Sequence, residues 1–152
     1  MIAIGIDPGK SGAVVALKDG KVKVCRLDQT ERDIAEFFDW LDAQISFGGG
    51  AALVMLERAS AMPGQGVSST FKFGTGYGFL RGCIAMTTIP MEEVAPAKWQ
   101  RVMGCLTKGD KRISRARAQQ LFPVLKVVHA NADALLIAEY CRRLMIERGL
   151  GG

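Results

Sequence analysis

Apolar and polar positions recur along this chain with two distinct periods, and the switches between them divide it into elements. Residues 2–6, 13–18 and 22–27 follow the period of two expected of strands, and Asp19-Gly20 between the second and third is a strong hairpin signal. The chain is therefore expected to open with three antiparallel strands. From Thr30 the period changes. Thr30 and Asp33 have the spacing of a capping box, and Ile34, Phe37, Phe38, Leu41 and Ile45 return at helical intervals until Gly48-Gly49-Gly50. Residues 51–56 are a short apolar run of strand length ending at Glu57.

Residues 59–69, with Pro63, Gly64 and Gly66, read as a loop, and residues 70–85 as a helix. Gly74, Gly78 and Gly82 fall every four residues along that helix beside Phe73, Tyr77, Leu80 and Ile84. Each glycine costs about 1 kcal/mol relative to alanine in a helix. Three on one face therefore imply a gain from close packing of another helix there, in this chain or in a second copy. Residues 87–94 form a fifth strand candidate. Pro96 suits the first turn of a short helix reaching Met103, residues 107–110 form a polar loop and residues 113–121 a further helix. Asn131 or a neighbour caps a last helix that runs through Arg148 and stops at Gly149. The order of elements is that of an α/β fold, a five-stranded mixed sheet flanked by helices.

Composition narrows the class. The 152 residues suit one domain, spanning residues 1–152, and 49% hydrophobic with 23% charged content suits a folded core. No stretch approaches the ~20 apolar residues of a membrane span and no secretory leader is visible, so a cytoplasmic location is expected, with no membrane partner. Cys25, Cys83, Cys105 and Cys141 lie far apart and His129 is the single histidine, which suggests reduced core cysteines and neither a zinc site nor a disulfide framework.

Charge changes the picture more. Of the net charge of +5, the segment from Lys98 to Arg117 carries Lys98, Arg101, Lys108, Lys111, Arg112, Arg115 and Arg117 against Asp110 alone, so the rest of the chain is close to neutral. Such concentration is the footprint of a polyanion binder, because each neutralised phosphate releases condensed counterions. A solvated basic helix face is the plainer reading of the same residues.

Three carboxylates complete the chemistry. Asp7 ends the first strand and enters the turn Pro8-Gly9-Lys10-Ser11-Gly12, Glu57 ends the fourth strand, and Asp133 stands near the start of the last helix. Each has a plain alternative: an Asx-turn for Asp7, an ion pair with Arg58 for Glu57, a helix-dipole partner for Asp133. Together, beside a basic surface, they make sense once a cation sits among them, since bare like charges repel one another and repel phosphate. Two hard divalent ions can activate a water, orient a scissile phosphate and stabilise the leaving oxygen.

The opening Ile4-Gly5-Ile6-Asp7-Pro8-Gly9-Lys10-Ser11-Gly12, the pair Leu56-Glu57 and the segment Ala132-Asp133-Ala134-Leu135-Leu136-Ile137-Ala138 resemble the RuvC family of Holliday-junction resolvases. Phe71 to Gly82 is more similar to the phage and chloroplast branches of that family than to its cellular bacterial members. The resemblance implies an RNase H-like fold, a homodimer and magnesium-dependent paired nicking of four-way DNA junctions with two ions per active site; the Gly74/Gly78/Gly82 helix, read from its own residues, is a candidate for the contact between the two copies. Manganese is expected to substitute, and the compartment would be a bacterial or phage-infected cytoplasm. Asp7, Glu57 and Asp133 would hold the metal. Lys98, Lys108, Lys111, Arg112 and Arg115 would hold phosphates, with Lys108 or Lys111 nearest the scissile group. The loop with Met62, Pro63 and Gln65 would reach the junction centre, where an apolar side chain could wedge between bases; a plain surface loop is the alternative.

One position departs from the pattern. The family carries a fourth acidic or imidazole ligand about one turn before the last aspartate, and here that place in the catalytic set is Ala130. His129, at i−4 from Asp133, is either a substitute ligand or a capping or surface histidine. A junction-binding protein without cleavage activity is therefore the competing function. A sugar-kinase or actin-like ATPase fragment, suggested by Asp7-Pro8-Gly9, would need a second lobe for which 152 residues leave no room.

Overall fold

A computed structural model describes residues 1–59, 64, 66–107 and 110–150. Five strands, β1 (Ile2–Asp7), β2 (Ala13–Lys18), β3 (Lys21–Arg26), β4 (Ala52–Glu57) and β5 (Met91–Val94), form one sheet in the order β3-β2-β1-β4-β5. The first three are antiparallel neighbours, as the hairpin signal predicts, while β4 pairs parallel with both β1 and β5. Among the described residues five helices accompany them: α1 (Glu31–Gly48), α2 (Val67–Ala85), α3 (Pro96–Met103), α4 (Lys111–Leu121) and α5 (His129–Glu147).

Strand alternation sorts the core into two layers. Ile2, Ile4 and Ile6 of β1 and Val54 and Leu56 of β4 face α1 and α2, packing with Phe37, Phe38, Leu41, Leu80 and Ile84. Ala3 of β1 and Leu53 and Met55 of β4 point the other way, into a core with Trp99, Met103 and the apolar face of α5. Gly5 shares that second face. A Cβ placed on it would lie 2.1 Å from the backbone nitrogen of Ala138, so only glycine lets α5 lie directly on β1.

The helix boundaries depart from the sequence pattern in ways that have local causes. The fifth strand is confined to Met91–Val94, because Thr87 closes the end of α2 by donating from both its N–H and its hydroxyl to the Ile84 carbonyl (3.0 and 2.7 Å). Thr88 donates from N–H and hydroxyl to Asp42 Oδ1, each at 2.7 Å, which pins the following turn to α1. Helix α2 begins at Val67, three residues into the expected loop, and α4 begins at Lys111, where the Asp110 carboxylate accepts the Arg112 N–H at 3.0 Å. Helix α5 starts at His129, so Asn131 is not the cap. It is the third helical residue, and its Oδ1 reaches back to accept the Val128 N–H at 2.8 Å. The Thr30–Asp33 capping box forms as predicted.

The glycine stripe requires a correction within the chain. A Cβ on Gly74, Gly78 or Gly82 would meet nothing within 4 Å among the described residues, so no described helix of the same chain packs there. The cysteines are all free, with Cys25, Cys105 and Cys141 buried. No helix among the described residues is long and apolar enough to cross a membrane.

Candidate functional site

Strand parity, register and one glycine bring the three carboxylates to the same place. Asp7 and Glu57 are the last residues of adjacent parallel strands, paired up to Ile6 and Leu56. Each has the parity of the residues that face α5. The close approach of α5 at Gly5 then sets Asp133, one turn before Ile137, over the same strand ends.

Burial dominates the electrostatics. It raises the carboxyl pKa of Asp7, Glu57 and Asp133, and reaches about 7 for Glu57. Mutual repulsion adds to this: Asp133 acts on Asp7, and both act on Glu57. Opposing the rise are the Gly9 N–H that donates to Asp7 Oδ1 at 3.1 Å, the Trp99 indole that donates to Glu57 Oε2 at 2.6 Å, and the Ser114 hydroxyl acting on Asp133. The Lys111 ammonium, exposed at the start of α4, lowers all three. Among the described residues none of the three carboxylates forms a salt bridge.

The plain alternatives resolve individually. Asp7 does open an Asx-turn, through Gly9, and Gly12 is needed there, since a Cβ on it would sit 2.2 Å from the Asp7 carbonyl oxygen. Glu57 does not pair with Arg58, whose guanidinium lies 3.7 Å from Glu93. Asp133 is the fifth residue of α5, past the first turn, so it is not placed as a dipole partner.

Three desolvated carboxylates without a cationic partner are a donor set suited to a hard divalent ion. As the side chains stand, however, no three His, Cys, Asp or Glu groups among the described residues are gathered tightly enough to hold one. Ala130 is the second residue of α5 and contributes no ligand. His129 precedes it, exposed, with its charge acting on Asp133.

The basic segment divides by element. Lys98 and Arg101 are exposed on α3 and Lys111 on α4. The Arg112 guanidinium is engaged by Asp110 through Nε and Nη2 (3.0 and 2.9 Å). Arg115 donates from Nε to the Val127 carbonyl at 3.2 Å, and Arg117 from Nε to the Met103 carbonyl at 2.9 Å. These arginines thus also fasten α4 to its neighbours. Lys108, Met62, Pro63 and Gln65 lie outside the described residues. Trp99 and Ser114 were not apparent from the sequence as site residues; the one available signal was the position of a polar-tipped Trp one turn after Pro96.

The whole chain is similar in fold to Thermus thermophilus RuvC, with a TM-score of 0.57 at 17% identity, covering 99% of this chain and 98% of that one. It is also similar to T. thermophilus RuvC in complex with Holliday junction substrate, with a TM-score of 0.61 at 14% identity, covering 99% and 97%. At such identities the likeness is one of architecture. The fold is RuvC-like, hence RNase H-like, and this agrees with the sheet order and helices described above. No protein-family model matches the chain, and no curated protein matches it by sequence.

Proposed function

We propose that the protein is a Holliday-junction resolvase, a structure-selective endodeoxyribonuclease acting in DNA recombination and repair. The observation that carries this reading is the convergence of Asp7, Glu57 and Asp133 on one sheet edge, beside exposed Lys111, in a RuvC-like fold. Asp7 and Glu57 would hold Mg2+ or Mn2+ with Asp133, and bound divalent ions would supply Lewis-acid stabilisation of charge on the phosphate. Lys111 places a positive charge where the phosphate would enter, and Lys98 and Lys108, with Arg112 and Arg115, would extend contact along the backbone. Phe71 to Gly82 supports placing the chain with the phage and chloroplast branches. The open glycine face of α2 supports a homodimer, which would present one carboxylate set to each of two opposed strands.

The test is nicking of synthetic four-way junctions in Mg2+ or Mn2+. Asp7→Asn should abolish cleavage while leaving junction affinity unchanged or improved, because a ligand is lost together with a charge that repels phosphate. Cleavage at the normal rate would remove Asp7 from the site.

Two observations favour a second reading, a junction binder that does not cleave: Ala130 leaves the fourth ligand place empty, and the converging carboxylates are not gathered tightly enough as they stand to hold an ion. Ala130→Asp discriminates between the two. A carboxylate one turn before Asp133 adds charge for a second hard cation, and if cleavage is limited by that lack it should rise by more than 100-fold, corresponding to about 3 kcal/mol of transition-state stabilisation. Junction cleavage rates of Ala130→Asp and His129→Ala, measured together, check this. Activity lost in the histidine variant with no gain in the aspartate variant assigns the fourth place to His129.

A further inference from the structure

We propose that Trp99 is the positioning residue for Glu57: its indole N–H holds one carboxylate oxygen and leaves the other free of hydrogen bonds, so that it would be open to a divalent cation. The inference rests on the nuclease reading above. Trp99 is fully buried in the core between the sheet, α3 and α5, so its ring cannot turn away, and the Nε1–Oε2 distance is 2.6 Å. The two residues are 42 positions apart in the chain, and the sheet joins them. Glu57 lies opposite Val94 in the parallel β4–β5 pairing, and Pro96 starts α3 immediately after that strand, which carries Trp99 back over Glu57.

An indole has one donor and no acceptor, so it can fix a carboxylate without competing for the metal. Among the described residues the other Glu57 oxygen, Oε1, takes part in no hydrogen bond. Glu57 is therefore oriented before any ion arrives, and its side-chain entropy is lost on folding and not on binding. Residues that orient a ligand from behind commonly change metal affinity or activity by about 10- to 100-fold when removed.

The experiment uses the full chain, with Mg2+ as the probe and the two tryptophans as separate reporters. Trp40 lies on α1 on the opposite side of the sheet, with the Lys23 ammonium 3.8 Å from its ring centroid, and serves as the internal reference. In 15N–1H spectra, Mg2+ should shift the Trp99 indole resonance and leave that of Trp40 in place. Trp99→Phe, which keeps the aromatic body and removes the donor, should weaken Mg2+ binding by about 10- to 100-fold by calorimetry. Trp99→His, which restores a ring N–H, should recover part of it. In a Glu57→Gln background, Trp99→Phe should have no further effect. An equal loss in both backgrounds would show a merely structural role and overturn the proposal, as would unchanged affinity in the single variant. Should Trp99→Phe fail to fold, a Trp99 indole signal that stays fixed while Mg2+ shifts other resonances overturns it equally. Absence of Mg2+ binding and of cleavage by the unaltered protein would instead overturn the nuclease reading itself.

Discussion

Helices α5 and α2 are each 19 residues long, yet they stand in opposite relations to the sheet. Ten residues of α5 are buried, among them Ala132, Ala134 and Ala138, whose small side chains let the helix backbone approach β1 closely. Only Leu80 and Ile84 of α2 are buried, while Val67 and Phe71 are 87% and 75% exposed and a Cβ on any of its four glycines, Gly74, Gly76, Gly78 and Gly82, would meet nothing within 4 Å among the described residues. A helix that is apolar on its covered face alone is finished within its own chain; one that also carries exposed apolar residues and glycines on its outer face leaves room for a cover. The difference separates two tasks: α5 delivers Asp133 to the strand ends, and α2 supports the proposal of a second copy.

The sharpest break in this comparison comes from filling the contact that α5 depends on. Gly5→Val places carbon where the Ala138 backbone nitrogen already lies, and no rotamer relieves a clash with backbone. The helix must retreat from β1, carrying Asp133 with it. Thermal or urea unfolding should show a loss of about 3 kcal/mol or more, with any junction cleavage lost in parallel. Unaltered stability would mean that α5 does not rest directly on β1 at Gly5.

Much of this division was legible in the sequence, and the exceptions have physical reasons. The strand-ending Asp7 and Glu57 and the hairpin at Asp19-Gly20 follow from local pattern, and strand parity carries the two carboxylates onto one face without further information. The sequence pattern puts the cap of α5 at Asn131 or a neighbour, and the helix starts earlier, at His129, because Asn131 satisfies the helix N-terminus from inside the first turn, a role its residue type shares with true caps. The Glu57–Trp99 bond was invisible because nothing local relates residues 42 apart; only the β4–β5 register does. The glycine face was read correctly as a helix, but a period of four cannot say whose helix covers it.

A second, smaller effect tests whether the α5 side of the sheet is a strained site awaiting a cation. Burial raises the Glu57 pKa from 4.5 to about 7 in the folded chain, and the shifts of Asp7 and Asp133 have the same direction. Because the folded state holds the proton more tightly than the unfolded one, stability is greatest below the unfolded pKa and falls as pH rises through about 7. Between pH 5 and 8 in a chelator, unfolding free energy should decline by about 2 kcal/mol, after allowance for solvent screening of a half-buried group. Glu57→Gln should flatten most of that slope and be the more stable protein at pH 8. Mg2+ should flatten it for the unaltered chain alone. Stability that rises across this range would reverse the sign and place Glu57 in a favourable ion pair.

The smallest effect on the chain itself comes from the α2 side, and there the direction separates the two helices most cleanly. A Cβ on Gly78 meets nothing within 4 Å, so Gly78→Ala should not clash and should stabilise the isolated chain by about 0.5–1 kcal/mol through helix propensity. Gly78→Leu should be equally well tolerated by the monomer, in contrast to any side chain at Gly5. If a second copy packs its own α2 against this face, the leucine holds the two backbones apart, and sedimentation should show the dimer replaced by monomer while the fold persists. Monomer stability measured at low protein concentration then rises or holds as association falls. A Gly78→Leu protein that remains dimeric would assign the interface elsewhere and leave the exposed Phe71 face without its proposed cover.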